Sequence, residues 1–168
     1  MSTKPKVALV MGSDSDYEKL IPCIKMLKKF EIEPVVRVIS AHRTPDEAER
    51  FAKNAKAEGI EVILAAAGKA AHLGGVLAAF TTLPVIGIPI KSSTMDGLDS
   101  LLSMVQMPKG IPVATVAIDG ADNAAILAAQ ILALKYENIA SMLDEFKKQM
   151  ADEVMTKNER IMLEAQAL

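Results

Sequence analysis

Tryptophan is absent from this chain of 168 residues, and aromatic residues make up only 4% of it. A large binding platform of stacked rings is therefore not expected, and Val, Ile, Leu, Ala and Met must fill the core, as suits parallel strands under helices. Cysteine is almost as scarce. Cys23 stands alone, so there can be no intrachain disulfide and no multi-thiolate metal site, and a reducing compartment fits. Neither sign of charge dominates: 19 Lys and Arg are interspersed with 21 Asp and Glu, and the formal net charge is -2. No basic stripe is available to neutralise a nucleic-acid backbone, so nucleic acid is not an expected partner. No apolar run reaches the roughly 20 residues that span a bilayer. The segment Met1-Ser-Thr-Lys-Pro-Lys leads into a strand-like run, not a signal-peptide core. A cytoplasmic protein without a membrane partner is expected.

What the chain does have is a hydrophobic content of 51%, ample for one core at this length. Short runs rich in Val and Ile alternate with longer segments of helical period, the pattern of repeated βα units and a parallel sheet. Strands are expected near residues 7–11, 34–39, 62–67, 84–90 and 113–118. Ser15 with Glu18, and Thr44 with Pro45 and Glu47, match the capping-box spacing at two helix starts, and Gly59 is a natural stop for the second. A third helix would begin near residues 70–72, where Gly74 and Gly75 suggest close packing, and a fourth fits 96–107, ended by Pro108. Residues 121–134 are almost wholly apolar or small, more than one small domain normally buries around a peripheral helix. Along 138–168, Ile139, Leu143, Phe146, Met150 and Val154 form one stripe, with Asp144, Lys147, Lys148 and Asp152 facing away. An amphipathic helix at the chain end needs a surface to lie on, and a neighbouring subunit is the readiest one. The whole chain, 1–168, reads as a single α/β domain.

In a parallel α/β sheet, ligands sit beyond the carboxyl ends of the strands, so the informative residues follow each run. After the first come Gly12, Ser13, Asp14, Ser15 and Asp16, which place a glycine and two hydroxyls at a helix start. Free backbone N–H groups and the helix dipole favour an anion such as phosphate there, although an ordinary capped turn would look the same. Asp16 would repel a phosphate and better accepts from ribose hydroxyls or a ring amine. The loop is neither a dinucleotide fingerprint nor a Walker loop. Gly68-Lys69 is no Walker motif either, since Ile63 stands where the first glycine is required and Ala70 where Ser or Thr should bind magnesium.

Ser40, Ala41, His42 and Arg43 follow the second run, and Arg43 suits a phosphate as a planar fork. The chain has two histidines, and both His42 and His72 fall just past strand ends on the expected ligand side. A lone histidine is more often a surface or satisfied core residue, but this shared placement favours proton chemistry. A metal between them would lack obvious further ligands, so none is expected. Lys91, Ser92, Ser93 and Thr94 after the fourth run could close the site or be a plain polar loop. The segment 107–112, with Met107, Pro108 and Pro112, could wall a pocket or redirect the chain.

Met11-Gly12-Ser13-Asp14-Ser15-Asp16, Ser40-Ala41-His42-Arg43-Thr44-Pro45, Ala70-Ala71-His72-Leu73 and Gln106-Met107-Pro108 with Gly110-Ile111-Pro112 together closely resemble the N5-carboxyaminoimidazole ribonucleotide mutases. The likeness runs over nearly the whole chain, to the helix containing Asn123, Leu127, Gln130 and Ile131. It implies a flavodoxin-like three-layer α/β fold with an additional C-terminal helix, assembled as a homo-octamer with those helices on neighbouring subunits. It implies a ribonucleotide substrate, no cofactor, phosphate near Ser13, Ser15 and Arg43, ribose held by Asp16, and His42 as catalytic acid and base. Ser40, Ala41, Gly68, Lys69, His72 and Leu73 would line the substrate pocket. Two positions depart from the pattern: Lys69 stands where the mutases usually carry a second glycine, and Gly74 where they usually carry proline. The sister branch that carboxylates aminoimidazole ribonucleotide directly is the nearest alternative, and its third-loop motif reads differently. A non-catalytic phosphate or flavin binding module is the alternative of another kind, but a flavin binder should show aromatic residues after strands three and four, and none is there. A purely structural oligomer would have no need of His42 and Arg43 beside a hydroxyl-rich helix start.

Overall fold

The computed structural model describes residues 4–168; the first three residues of the N-terminal segment lie outside it. Five parallel strands, β1 (Lys6–Met11), β2 (Glu33–Val38), β3 (Ile60–Gly68), β4 (Val85–Ile90) and β5 (Ala114–Thr115), lie in the order β2-β1-β3-β4-β5. This is the flavodoxin-like order, in which the chain reverses its winding between β1 and β3 and opens a crevice at their carboxyl ends. The helices α1 (Tyr17–Lys29), α2 (Pro45–Asn54), α3 (Leu73–Ala79), α4 (Leu98–Val105), α5 (Ala121–Ala133) and α6 (Glu137–Gln166) cover the two faces.

The period of two along β1 decides which face each side chain meets. Val7, Leu9 and Met11 enter one core with Leu20, Leu27, Ala124, Ala128 and Ile139 from α1, α5 and α6. Ala8 and Val10 enter the other, with Phe51, Leu73, Leu77 and Met104 from α2, α3 and α4. Burying each of the larger aliphatic side chains stabilises the fold by about 1.5–3 kcal/mol relative to leaving it exposed. Cys23 is buried and free, and burial pushes its thiol up to about 12, so it packs as a small apolar residue. The close packing expected near Gly75 is real: a Cβ there would come within 3.0 Å of the Met107 Cε. Among the described residues no helix is long and apolar enough to cross a membrane.

Several boundaries differ from the sequence expectation, each for a local reason. Neither capping box forms. Ser13 caps a short 3-10 turn (Asp14–Asp16) ahead of α1, and the Thr44 hydroxyl is committed to Ser40. α2 stops at Asn54, and Gly59, at φ 83°, makes the later turn into β3. α3 begins at Leu73 because residues 69–72 form their own tight turns, with the amides of Ala71 and His72 donating to the carbonyls of Lys69 and Ala70. α4 starts at Leu98 after Gly97, which sits at φ 99° where a Cβ would meet Ile118 Cγ2 at 2.6 Å. Strand β5 pairs over only two residues of the six expected. The C-terminal stripe divides: Ile139 and Leu143 are buried in this chain's own core and Phe146 meets Phe30 edge-on at 5.6 Å, whereas Met150 and Val154 are 42% and 62% exposed.

Candidate active site

The loops after β1, β2, β3 and β4 surround a cavity of about 670 Å³ at the crevice the strand order creates. Every site residue put forward from the sequence, from Ser13 through Leu73, lines it.

Gly12 extends the ladder beyond β1 by donating to the Ala66 carbonyl at 3.0 Å, and the chain then turns sharply. Ser13 Oγ accepts from the Ser15 amide at 3.3 Å and from the Ser15 hydroxyl at 2.9 Å, which holds both hydroxyls together where α1 begins. Asp16 is half-buried beside them. Its carboxyl is raised above the ordinary value first by burial and also by Asp14 and Asp119, while the Ser15 hydroxyl and Lys19 oppose the rise.

The loop after β2 is tied into a closed turn. Thr44 Oγ1 accepts from the Ser40 amide and donates to the Ser40 carbonyl, at 3.1 and 3.0 Å, and the Thr44 amide donates to the same carbonyl at 2.8 Å. Ser40 Oγ accepts from the Arg43 amide at 3.2 Å and from Arg43 Nε at 3.5 Å, so the guanidinium is oriented by the loop that carries it. Ser40 therefore positions Arg43 as well as lining the cavity.

Gly68 runs close past β4: a Cβ there would stand 3.5 Å from the Ile90 carbonyl oxygen. Lys69 follows at φ 56°, a left-handed backbone that glycine adopts freely and a lysine does not. Beyond it, His72 Nδ1 stands 3.0 Å from His42 Nε2, with the rings edge to face at 76°. One ring nitrogen donates and the other accepts, so the neutral pair holds a single hydrogen between two imidazoles. The sequence placed both histidines on this rim but not in contact.

The wall opposite is made by Ile90 at the end of β4 and by Lys91, Ser92 and Ser93, part of the segment 91–94 that read from sequence as a closing loop or a plain polar one. Lys91 Nζ pairs with Asp96 at 2.8 Å, and its main chain is held by Lys19 and Asp119, two residues that no sequence signal singled out. Their contact joins positions 100 apart in the chain. Among the described residues, no three His, Cys, Asp or Glu side chains converge as a metal site would require.

A family model for AIR carboxylase matches residues 6–153. The chain belongs to this family. Family members named N5-carboxyaminoimidazole ribonucleotide mutase include that of Thermotoga maritima, 54% identical over 157 residues that cover 94% of this chain and 92% of its own. The Pyrococcus abyssi mutase is 57% identical over 146 residues, covering 87% of this chain and 84% of its own. A phosphoribosylaminoimidazole carboxylase of Candida glabrata is 49% identical over 92% of this chain, which matches 27% of that longer protein. Among solved structures, the crystal structure of Treponema denticola PurE superposes with a TM-score of 0.86 at 29% identity, over 94% of this chain and 98% of the other.

Proposed function

We infer that this chain converts N5-carboxyaminoimidazole ribonucleotide to 4-carboxy-5-aminoimidazole ribonucleotide, a carboxyl transfer of purine biosynthesis. The observation that carries the reading is the His42 and His72 imidazole pair at the rim of a cavity whose other loops offer paired hydroxyls and an oriented guanidinium. Mutases at 54% and 57% identity over most of the chain support it.

The chemistry follows from proton placement. An imidazolium at His42 protonates the carbamate nitrogen; the N–C bond then breaks, its electron pair stays on nitrogen, and carbon dioxide is released beside the ring. The enamine-like C4 attacks that carbon dioxide while the cavity holds the two together. The neutral imidazole removes the C4 proton and the ring regains its aromaticity. The proton given to nitrogen is matched by the one taken from C4, and no oxidation state changes, so the balance calls for neither ATP nor a redox cofactor. Ser13, Ser15 and Arg43 take the phosphate and Asp16 the ribose, while Ala41, Gly68, Lys69, His72 and Leu73 bound the base and its carboxyl group. The same reading takes the chain as a cytoplasmic homo-octamer, with the exposed distal part of α6 lying on neighbouring subunits.

The test is to mix the purified protein with the carbamate ribonucleotide, without ATP, and follow formation of the C4-carboxylated product. Appearance of product from the carbamate supports the reading. Product only from aminoimidazole ribonucleotide plus dissolved carbon dioxide would assign the chain to direct carboxylation instead, and no product from either would refute both.

A further inference from the structure

The β4 wall of the cavity stands where the sheet gives it least support. The β4 and β5 ladder runs only from Ile86 opposite Ala114 to Gly87 opposite Thr115, well short of the residues that face the cavity. Beyond it, the Val116 amide donates to Gly87 and the Asp119 amide to Pro89, at 3.1 and 2.8 Å. The next donor on β4's continuation is the Lys91 amide, and a side chain takes the place of a strand partner: Asp119 Oδ1 accepts from it at 2.8 Å. Lys19 Nζ, on α1, completes the arrangement by reaching Asp119 Oδ2 at 3.1 Å and the Lys91 carbonyl at 3.2 Å. Both main-chain polar groups of Lys91 are thus held by one ion pair.

We propose that Asp119 is a positioning residue for the substrate site, holding Lys91 and the following serines where they wall the cavity. Asp119 sits at φ 55°, a left-handed conformation that Asp and Asn adopt more readily than other side chains, and this aims its carboxylate back along β4. The neighbouring residue is anchored independently, because the Ser92 hydroxyl donates to both Asp99 carboxylate oxygens, at 2.8 and 2.9 Å. With Ile90 also held, its carbonyl accepting from the Ser100 hydroxyl at 2.8 Å, loss of Asp119 frees the Lys91 main chain without unfolding the loop. Asp119 is not itself among the residues lining the cavity, so it acts on substrate through Lys91 and its neighbours. The inference rests on the reading that the ribonucleotide occupies this cavity.

The experiment compares the full-length parent with Asp119→Ala, Asp119→Asn and Lys19→Met, measuring steady-state turnover of the carbamate ribonucleotide and amide hydrogen exchange. Asp119→Ala is expected to raise KM by roughly tenfold, with kcat within about twofold, the scale of losing a charge-assisted hydrogen bond that acts on binding. Faster exchange should be confined to the segment following β4, whereas general destabilisation would speed exchange throughout the sheet. Asp119→Asn keeps an acceptor and tolerates the backbone, so it should restore KM to within about threefold of the parent. Lys19→Met, which leaves Asp119 in place, should raise KM by about threefold, and it decides the matter if the alanine variant does not fold. A parent-like KM in Asp119→Ala, asparagine as damaging as alanine, exchange rising throughout the sheet, or no change in Lys19→Met would overturn the proposal. A parent that does not turn over the ribonucleotide would overturn the reading of the site and this inference with it; an active parent with unaffected variants would overturn the inference alone.

Discussion

His42 Nε2 and His72 Nδ1 stand 3.0 Å apart, so each imidazole fixes the tautomer of the other. Only one proton fits comfortably between them; a second would set two N–H donors face to face. The pair is thus suited to give one proton to nitrogen and then, neutral, to take another from C4.

For His42→Asn, substrate should bind within a few-fold of the parent while turnover falls by roughly 10²-fold or more, the usual scale for a positioned acid and base. His72→Asn should cost less in turnover but move the pH profile, because it removes the group that orients and shares the proton. Binding titrations and pH–rate profiles of both variants check this. Near-normal turnover in His42→Asn, or a greater loss at His72, would reverse the roles.

Arg43 and Lys69 offer positive charge from two different loops and should separate kinetically. Arg43→Ala should weaken affinity for both the carboxylated and the uncarboxylated ribonucleotide, since both carry the phosphate. Lys69→Gly should raise KM for the carboxylated form alone, with kcat unchanged. It should also raise stability by up to about 1 kcal/mol, because glycine relieves the left-handed backbone at φ 56°. Equal effects on both ligands at Lys69 would show that its ammonium does not meet the carboxyl group.

Asp16 makes a pH prediction whose sign follows from burial. Its folded carboxyl is raised above the ordinary 3.8, so the folded state binds the proton more tightly than the unfolded chain does. That stabilisation is complete below 3.8 and is lost as pH rises through the raised value, leaving the ionised group unfavourable at neutral pH. Asp16→Asn should therefore melt higher than the parent at pH 7 while binding ribonucleotide more weakly. The gap in Tm should close as pH falls towards the ordinary carboxyl range. An equal gap at both pH values would show that the titration of Asp16 is not its source.

The division of α6 makes its two parts separable. A chain ending at Gln149 keeps Ile139, Leu143 and Phe146 in its own core, so it should fold, yet sediment as a smaller species than the full-length protein. Ending it after Leu134 removes part of the core as well and should give precipitation. An unchanged assembly after truncation at Gln149 would place the subunit contacts elsewhere.

The sequence by itself determined the fold class and the position of the site. Alternation such as Val7, Ala8, Leu9, Val10 needs two helical layers around one sheet, and parallel strands force the polar loops carrying Ser13, His42 and His72 onto one edge. Helix boundaries were less legible, because hydroxyls in capping positions had competing partners nearby: Thr44 turned back to Ser40, and the serine at 15 was drawn to Ser13. Only the tertiary structure decided that His42 meets His72, that α6 divides between its own core and solvent, and that Asp119 and Lys19 grip Lys91. Those contacts join residues 30, 28 and 72 positions apart, and a separation of that size leaves no local period or spacing for a sequence pattern to reveal.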